Sequence, residues 1–253
     1  MNRQRVDRLQ VQCYETADQV AIAAATAIRQ GILEAIATHG QARIIWATGN
    51  SQLACLSYLI KDDEIPWSSV TYFHLDEYLG IAADHPASFR HYLKTRLADR
   101  VNPAAFHYLA GDCLEPLREC DRYTQLLNTA PIDLCCLGIG NNGHLAFNEP
   151  SVADFNDPAA VKLVKLDAKN REQQYNQGHF PTLAAVPHYA FTLTLSQIAQ
   201  SRRLLCLAQG DHKRAIVHQL LTGPIDSTCP ATLLRRHPHA TLLLDANAAQ
   251  TIP

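Results

Sequence analysis

The residues with chemical potential gather in one stretch, Leu134-Cys135-Cys136-Leu137-Gly138-Ile139-Gly140-Asn141-Asn142-Gly143-His144-Leu145-Ala146-Phe147-Asn148-Glu149-Pro150. It opens as an apolar run, the signature of a strand buried in a parallel sheet. It then breaks into a Gly-x-Gly-x-x-Gly turn and ends with a His and a Glu five residues apart. In an open parallel α/β sheet, ligands bind just beyond the carboxyl ends of the strands. The stretch therefore delivers Asn142, His144 and Glu149 to the place where chemistry is expected. The glycine pattern alone does not make a dinucleotide site. That reading needs a long helix after the turn and an acidic residue about 20 residues on. Neither follows Gly143, so NAD binding is set aside.

A second stretch has the form of an anion site. The short apolar strand at 43–47 runs into Thr48-Gly49-Asn50-Ser51, and apolar residues at helical spacing follow over 52–59. Exposed N–H groups and the helix dipole at such a turn favour phosphate. An ordinary βα turn capped by Asn50 or Ser51 has the same sequence, so both readings stand on this segment alone. Lys213, in the first turn of a helix expected from 210 to 221, works against the dipole, which makes it a candidate anion contact or a plain surface lysine. Asp76 and Glu77 follow a strand at 69–75. Adjacent side chains leave a strand in opposite directions, so at most one faces a pocket, and a solvated loop is the alternative.

The remaining chain supplies the frame. Residues 1–12 are polar and predict no element. Thr16 and Gln19 form a capping box. An Ala- and Ile-rich helix then runs to about His39, with Gly40 closing it. Further helices are expected at 88–97, 115–127 and, briefly, 230–236. Strands are expected at 106–109, 161–166, 189–195, 203–208 and 240–245. The polar segment 167–187 has little periodicity and reads as a long loop, the kind that forms lids and binding segments.

Composition narrows the class. The 253 residues are 47 % hydrophobic and 18 % charged, with a formal net charge of −2. That supports a sizeable core and one domain over 1–253, and it offers no basic footprint for nucleic acid or membrane. No signal peptide is evident, and no apolar run is expected to approach a membrane span. The eight cysteines and twelve histidines show no zinc-type spacing, so no metal is expected. The thiols read as reduced core residues of a cytoplasmic protein.

Phe73-His74-Leu75-Asp76-Glu77-Tyr78-Leu79-Gly80 and the 137–150 segment closely resemble the two signature segments of the glucosamine-6-phosphate deaminase family. Ala47-Thr48-Gly49-Asn50 and Gly210-Asp211-His212-Lys213 extend the likeness in the same order, so it covers roughly residues 15–245. The resemblance implies a three-layer α/β/α sandwich, its sheet mostly parallel with a modified Rossmann topology. It implies conversion of glucosamine 6-phosphate and water to fructose 6-phosphate and ammonia, without metal or redox cofactor. It assigns Asp76 as the base moving a proton between C1 and C2, ionised at neutral pH if it stays near the reference value of about 4. It assigns His144 to ring opening and Glu149 to orienting it. Thr48, Gly49, Asn50, Ser51 and Lys213 would hold the 6-phosphate of the small-molecule substrate.

The sequence departs from the pattern at Asn142, where well-known members carry Asp. Asn cannot take a proton but can orient His144 by hydrogen bonding. The family's phosphate-binding Arg has no clear counterpart between Lys169 and Phe180. Three alternatives accompany the deaminase reading: the galactosamine epimer as substrate, a 6-phosphogluconolactonase, and a non-catalytic sugar-phosphate binder. Tyr78 and the 145–150 segment favour the deaminase over the lactonase. The absence of a basic helix-turn-helix extension argues against the DNA-linked sensor class of binder.

Overall fold

The structure is a computed structural model that describes residues 2–176 and 178–250. Its strands are β1 (Asn2–Val6), β2 (Leu9–Tyr14), β3 (Ala42–Trp46), β4 (Val70–His74), β5 (Asp76–Tyr78), β6 (Ala105–Phe106), β7 (Leu134–Gly138), β8 (Val161–Lys165), β9 (Tyr189–Leu193), β10 (Leu204–Ala208) and β11 (Ala240–Asp245). Its α-helices are α1 (Ala17–His39), α2 (Asn50–Leu59), α3 (Phe89–Leu93), α4 (Pro116–Leu127), α5 (Ala168–Asn176), α6 (Leu195–Ala199) and α7 (Arg214–Thr222).

The main sheet has the order β1-β2-β11-β10-β7-β3-β4-β6. Only β1 and β2 pair antiparallel; the other pairs are parallel. From β3 the chain builds outward through β4 and β6, then crosses back to β7 and builds outward on the other side. The strand order therefore reverses between β3 and β7, and that crevice is where a doubly wound sheet binds ligands. Central strands are buried on both faces, which is why they appear in the sequence as continuous apolar runs. Ile44, Trp46, Leu134, Cys136, Leu205 and Leu207 face α1 and α2. Their neighbours Ile45, Cys135, Leu137, Leu204 and Cys206 face α4, α6 and α7. The period-2 alternation thus makes two cores, one on each face of the sheet. Each large apolar side chain buried this way contributes about 1.5–3 kcal/mol.

Thr16 caps α1 as expected, its Oγ1 accepting from Gln19 N at 3.2 Å. The Gln19 side chain accepts from Glu15 N rather than from Thr16 N, one residue outside a true capping box. Gly40 ends the helix with φ 76°. At 23 residues, with an 18-residue window of mean hydropathy 1.4, α1 is long and apolar enough by length and composition to cross a membrane, which corrects the expectation that no segment approaches a span. Here Val20, Ala24, Ile28 and Ile32 pack it onto the sheet with no exposed surface.

Four other expectations change. Residues 2–14 form the β1–β2 hairpin, because β2 pairs with β11 and buries Leu9 and Val11 although half its residues are polar. The α2 cap is Gly49, with neither Asn50 nor Ser51 capping by side chain. The Asp76-Glu77 loop is strand β5 of a second, antiparallel sheet ordered β5-β9-β8. The polar segment 167–187 carries helix α5 and a short 3-10 turn at Leu183–Ala185, packed by Phe180 and Val186 onto Tyr78 and Phe147; Gln177, inside it, lies outside the described residues.

Candidate active site

The carboxyl ends of β3, β4, β7 and β10 open into a cleft of about 660 Å³. Thr48, Gly49, Asn50, Ser51, Asp76, His144 and Lys213 all line it. Asn142 and Glu149 do not line it and stand behind the imidazole. His144 Nδ1 lies 2.8 Å from Asn142 Oδ1 and 2.8 Å from Glu149 Oε1. Both neighbours are acceptors, so Nδ1 carries the proton and Nε2 is left for the cleft. Asn142 Nδ2 donates to Glu149 Oε2, and Asn170 Nδ2 donates to Glu149 Oε1 at 2.7 Å. Burial would raise the Glu149 carboxyl. The hydrogen bonds and charge of His144, with Asn142 and Asn170, outweigh burial and hold it below the usual carboxylate range.

Glycine makes this geometry attainable. A Cβ on Gly140 would overlap the His144 ring, and one on Gly143 (φ 86°) would lie 2.7 Å from Cys229 Sγ. The turn is closed by Gly143 N on Gly140 O at 3.0 Å and Gly140 N on His144 O at 3.0 Å. Ala146 has φ 52°, a left-handed conformation that costs a residue with a Cβ about 1–2 kcal/mol. Asn148, fully buried, secures the same loop to β9 by donating to Leu145 O at 2.9 Å and Leu193 O at 2.8 Å.

Asp76 faces the cleft from the β4–β5 junction and is 8 % exposed. Burial first, then the neighbouring Glu77 charge, push its carboxyl well above the usual range. This corrects the expectation that Asp76 rests near its reference value. His74, pushed down to about 3 by burial, is a neutral brace for it. Its Nε2 accepts from Leu109 N at 2.8 Å, so its Nδ1 donates to Asp76 O at 2.9 Å. Glu77 points away, as strand alternation requires. Its carboxylate accepts from Ser88 Oγ at 2.7 Å, Tyr78 N at 3.0 Å, Phe89 N at 3.1 Å and Arg90 N at 2.9 Å. It thereby ties β5 to the start of α3, where a helix end leaves N–H groups unsatisfied.

At the other end of the cleft, Lys213 Nζ donates to Asn141 Oδ1 at 2.8 Å, and burial lowers its pKa. The sequence reading missed Arg96. It lies on the turn that continues α3, lines the cleft, and stacks its guanidinium 4.9 Å above the Tyr92 ring. Tyr92 Oη in turn donates to Gly49 O at 3.0 Å, which joins α3 to the 48–51 turn. No local pattern marks Arg96, because its place depends on how α3 docks against β5 and the 48–51 turn. Arg171 is not a cleft residue and binds the backbone oxygens of Leu183 and Val186. Among the described residues no His, Cys, Asp or Glu cluster has metal-holding form.

A cleft at the switch point of a doubly wound sheet, with an imidazole–carboxylate pair facing a buried carboxyl, defines a Rossmann-like enzyme of small-molecule acid–base chemistry. The family model described as glucosamine-6-phosphate isomerases/6-phosphogluconolactonase matches residues 15–243, and the chain belongs to that family. A glucosamine-6-phosphate deaminase of Exiguobacterium sibiricum is 35 % identical over 206 residues, covering 81 % of this chain and 79 % of its own. One of Listeria innocua serovar 6a is 32 % identical over 222 residues, covering 87 % and 92 %. Among solved structures, a monomeric glucosamine-6-phosphate deaminase superposes with TM-score 0.87 at 30 % identity, covering 95 % of this chain and 98 % of that one. The 6-phosphogluconolactonase of Trypanosoma brucei superposes with TM-score 0.79 at 16 % identity, over the whole of both chains, a likeness of fold alone.

Proposed function

We infer that this chain is an amino-sugar-phosphate deaminase/isomerase that converts glucosamine 6-phosphate and water to fructose 6-phosphate and ammonia. The observation that carries the reading is the pairing of His144 with Glu149 across one cleft from the buried Asp76. In this reading the 6-phosphate sits against the N–H groups of the 48–51 turn, with Lys213 and Arg96 supplying charge. That anchoring sets the reacting carbons between Asp76 and His144. His144 Nε2 takes the proton of the O1 hydroxyl and returns it to the ring oxygen as the C1–O5 bond breaks. Glu149 stabilises the imidazolium meanwhile. Asp76 then removes the C2 proton while the substrate ammonium passes one of its protons to O1, giving an enolamine, and Asp76 delivers the C2 proton to C1. The resulting C2 iminium takes up water and loses ammonia, leaving the ketose phosphate.

Burial and the Glu77 charge raise the Asp76 carboxyl, and a raised pKa makes the ionised form a stronger base. A substrate ammonium beside it favours the ionised form when the sugar is bound. Asn142, in place of an acid, orients His144 through Oδ1 and Glu149 through Nδ2. The eight cysteines are free thiols, in keeping with a reducing cytoplasm.

The test is release of ammonia and fructose 6-phosphate from glucosamine 6-phosphate, with galactosamine 6-phosphate and 6-phosphogluconolactone run alongside. Equimolar ammonia and ketose phosphate from the glucosamine sugar is the expected result. Ammonia from the galactosamine sugar only changes the epimer. Hydrolysis of the lactone without ammonia release overturns the reading.

A further inference from the structure

Asn170, in the first turn of α5, contributes more to the cleft than its bond to Glu149. It is 5 % exposed and lines the cleft, yet its Oδ1 is buried without a hydrogen-bond partner among the described residues. Buried polar atoms in folded proteins are nearly always paired, so an unpaired one needs an explanation. The carboxamide cannot turn round to find a partner. Rotating it would set Oδ1 against Glu149 Oε1, acceptor against acceptor, and forfeit the 2.7 Å bond. The backbone is held as well, with Asn170 N donating to Asp167 Oδ1 at 2.6 Å. Oδ1 is thus a fixed acceptor, just beneath the surface of the cleft that Asn170 lines. It lies close to His144, because Asn170 Nδ2 and His144 Nδ1 share one oxygen of Glu149.

We propose that Asn170 is a substrate-binding residue whose Oδ1 accepts a hydrogen bond from the 3- or 4-hydroxyl of the sugar ring. The proposal rests on the amino-sugar-phosphate reading above and adds a specificity contact to it. Lys213 and the 48–51 turn recognise the phosphate, whereas Asn170 recognises the carbohydrate. It also gives α5 a function. The helix is polar and makes few apolar contacts, and its docking brings a substrate contact and a donor to Glu149 into the site in one step.

The experiment is calorimetric titration of wild type and Asn170→Ala with the ring-locked 1,5-anhydro analogue of glucosamine 6-phosphate, its 3-deoxy and 4-deoxy derivatives, and inorganic phosphate. Asn170→Ala is expected to bind the analogue about tenfold more weakly, the scale of one hydrogen bond to an otherwise unpaired acceptor, with phosphate affinity unchanged. One deoxy derivative should lose about the same factor in wild type and nothing further in Asn170→Ala. If Asn170→Ala does not fold, Asn170→Ser keeps a hydroxyl donor for Glu149 while shortening the acceptor, and should show the same loss. A variant that binds every analogue as wild type does overturns the proposal. So does a variant in which both deoxy derivatives still lose affinity as they do in wild type. Failure of wild type itself to bind the analogue would instead overturn the functional reading on which the proposal rests.

Discussion

Gly140→Ala should disable the site with one methyl group. The added Cβ would overlap Cε1, Nε2 and Nδ1 of His144. Ordinary carbon contacts lie at about 3.5–4.0 Å, so the ring has to retreat by roughly 1 Å or more. Its Nδ1 bonds to Glu149 and Asn142 are both 2.8 Å long. A shift of that size takes them beyond hydrogen-bond reach. The bond to the carboxylate is worth about 1.5–3 kcal/mol and the one to the amide about 1 kcal/mol. Without them the imidazole has neither a set tautomer nor a set direction. The expected loss in kcat/KM for glucosamine 6-phosphate is about 10²–10⁴, the contribution of a positioned general acid–base. Overpacking should also cost about 1–3 kcal/mol of stability. Steady-state kinetics with thermal melts measure both effects. Gly31→Ala on α1 is the control, because its Cβ would meet Leu134 Cδ2 at an ordinary 3.7 Å away from the cleft and should leave kcat/KM within a few-fold. A folded Gly140→Ala enzyme within tenfold of wild type would refute the reasoning.

Asp76→Asn should lower kcat by about 10²–10⁴ while sugar-phosphate binding persists. It should also melt at a higher temperature than wild type at neutral pH. A carboxyl whose pKa is raised by folding contributes stability only below its unfolded value, and that contribution is lost as pH rises through the folded value. The difference in melting temperature should therefore vanish below about pH 4; a gap independent of pH would contradict this. Asn142→Asp would put a second carboxylate against Glu149 Oε2 in place of a donor. The two acids would then share a proton and titrate together. Glu149, now held low, loses its contribution as pH falls through its folded value, and in the variant that loss should begin at higher pH. A pH profile of kcat/KM should show the acid limb moved upward; an unmoved limb would place Asn142 outside the network. Arg96→Ala should raise KM for glucosamine 6-phosphate about tenfold with kcat nearly unchanged, the pattern of lost uniform binding. An equal loss on unphosphorylated glucosamine would show that Arg96 does not contact the phosphate.

Much of the frame was legible in the sequence because its signals are local. The apolar runs of β3, β7 and β10 announce strands buried on both faces. The turns that follow them, at 48–51, 138–144 and 209–213, carry the glycines and polar residues that reach the switch point. Strand alternation alone separates Asp76 from Glu77, since consecutive side chains must part. What the local sequence could not carry was the partner of each group. Glu77 reads as a solvated acid until α3 brings Ser88 and two N–H groups onto it. Asp76 reads as an ordinary carboxylate until burial raises it. Polar residues 2–14 become strands only because β11 offers β2 a parallel edge and β2 in turn pairs with β1. Arg96 enters the cleft through the docking of α3, and Asn170 reaches Glu149 across 21 residues of chain through the packing of α5. Residue types and turns are properties of neighbours along the chain. Protonation, orientation and the lining of the cleft depend on which groups share a low-dielectric space, and that is decided only when distant segments pack together.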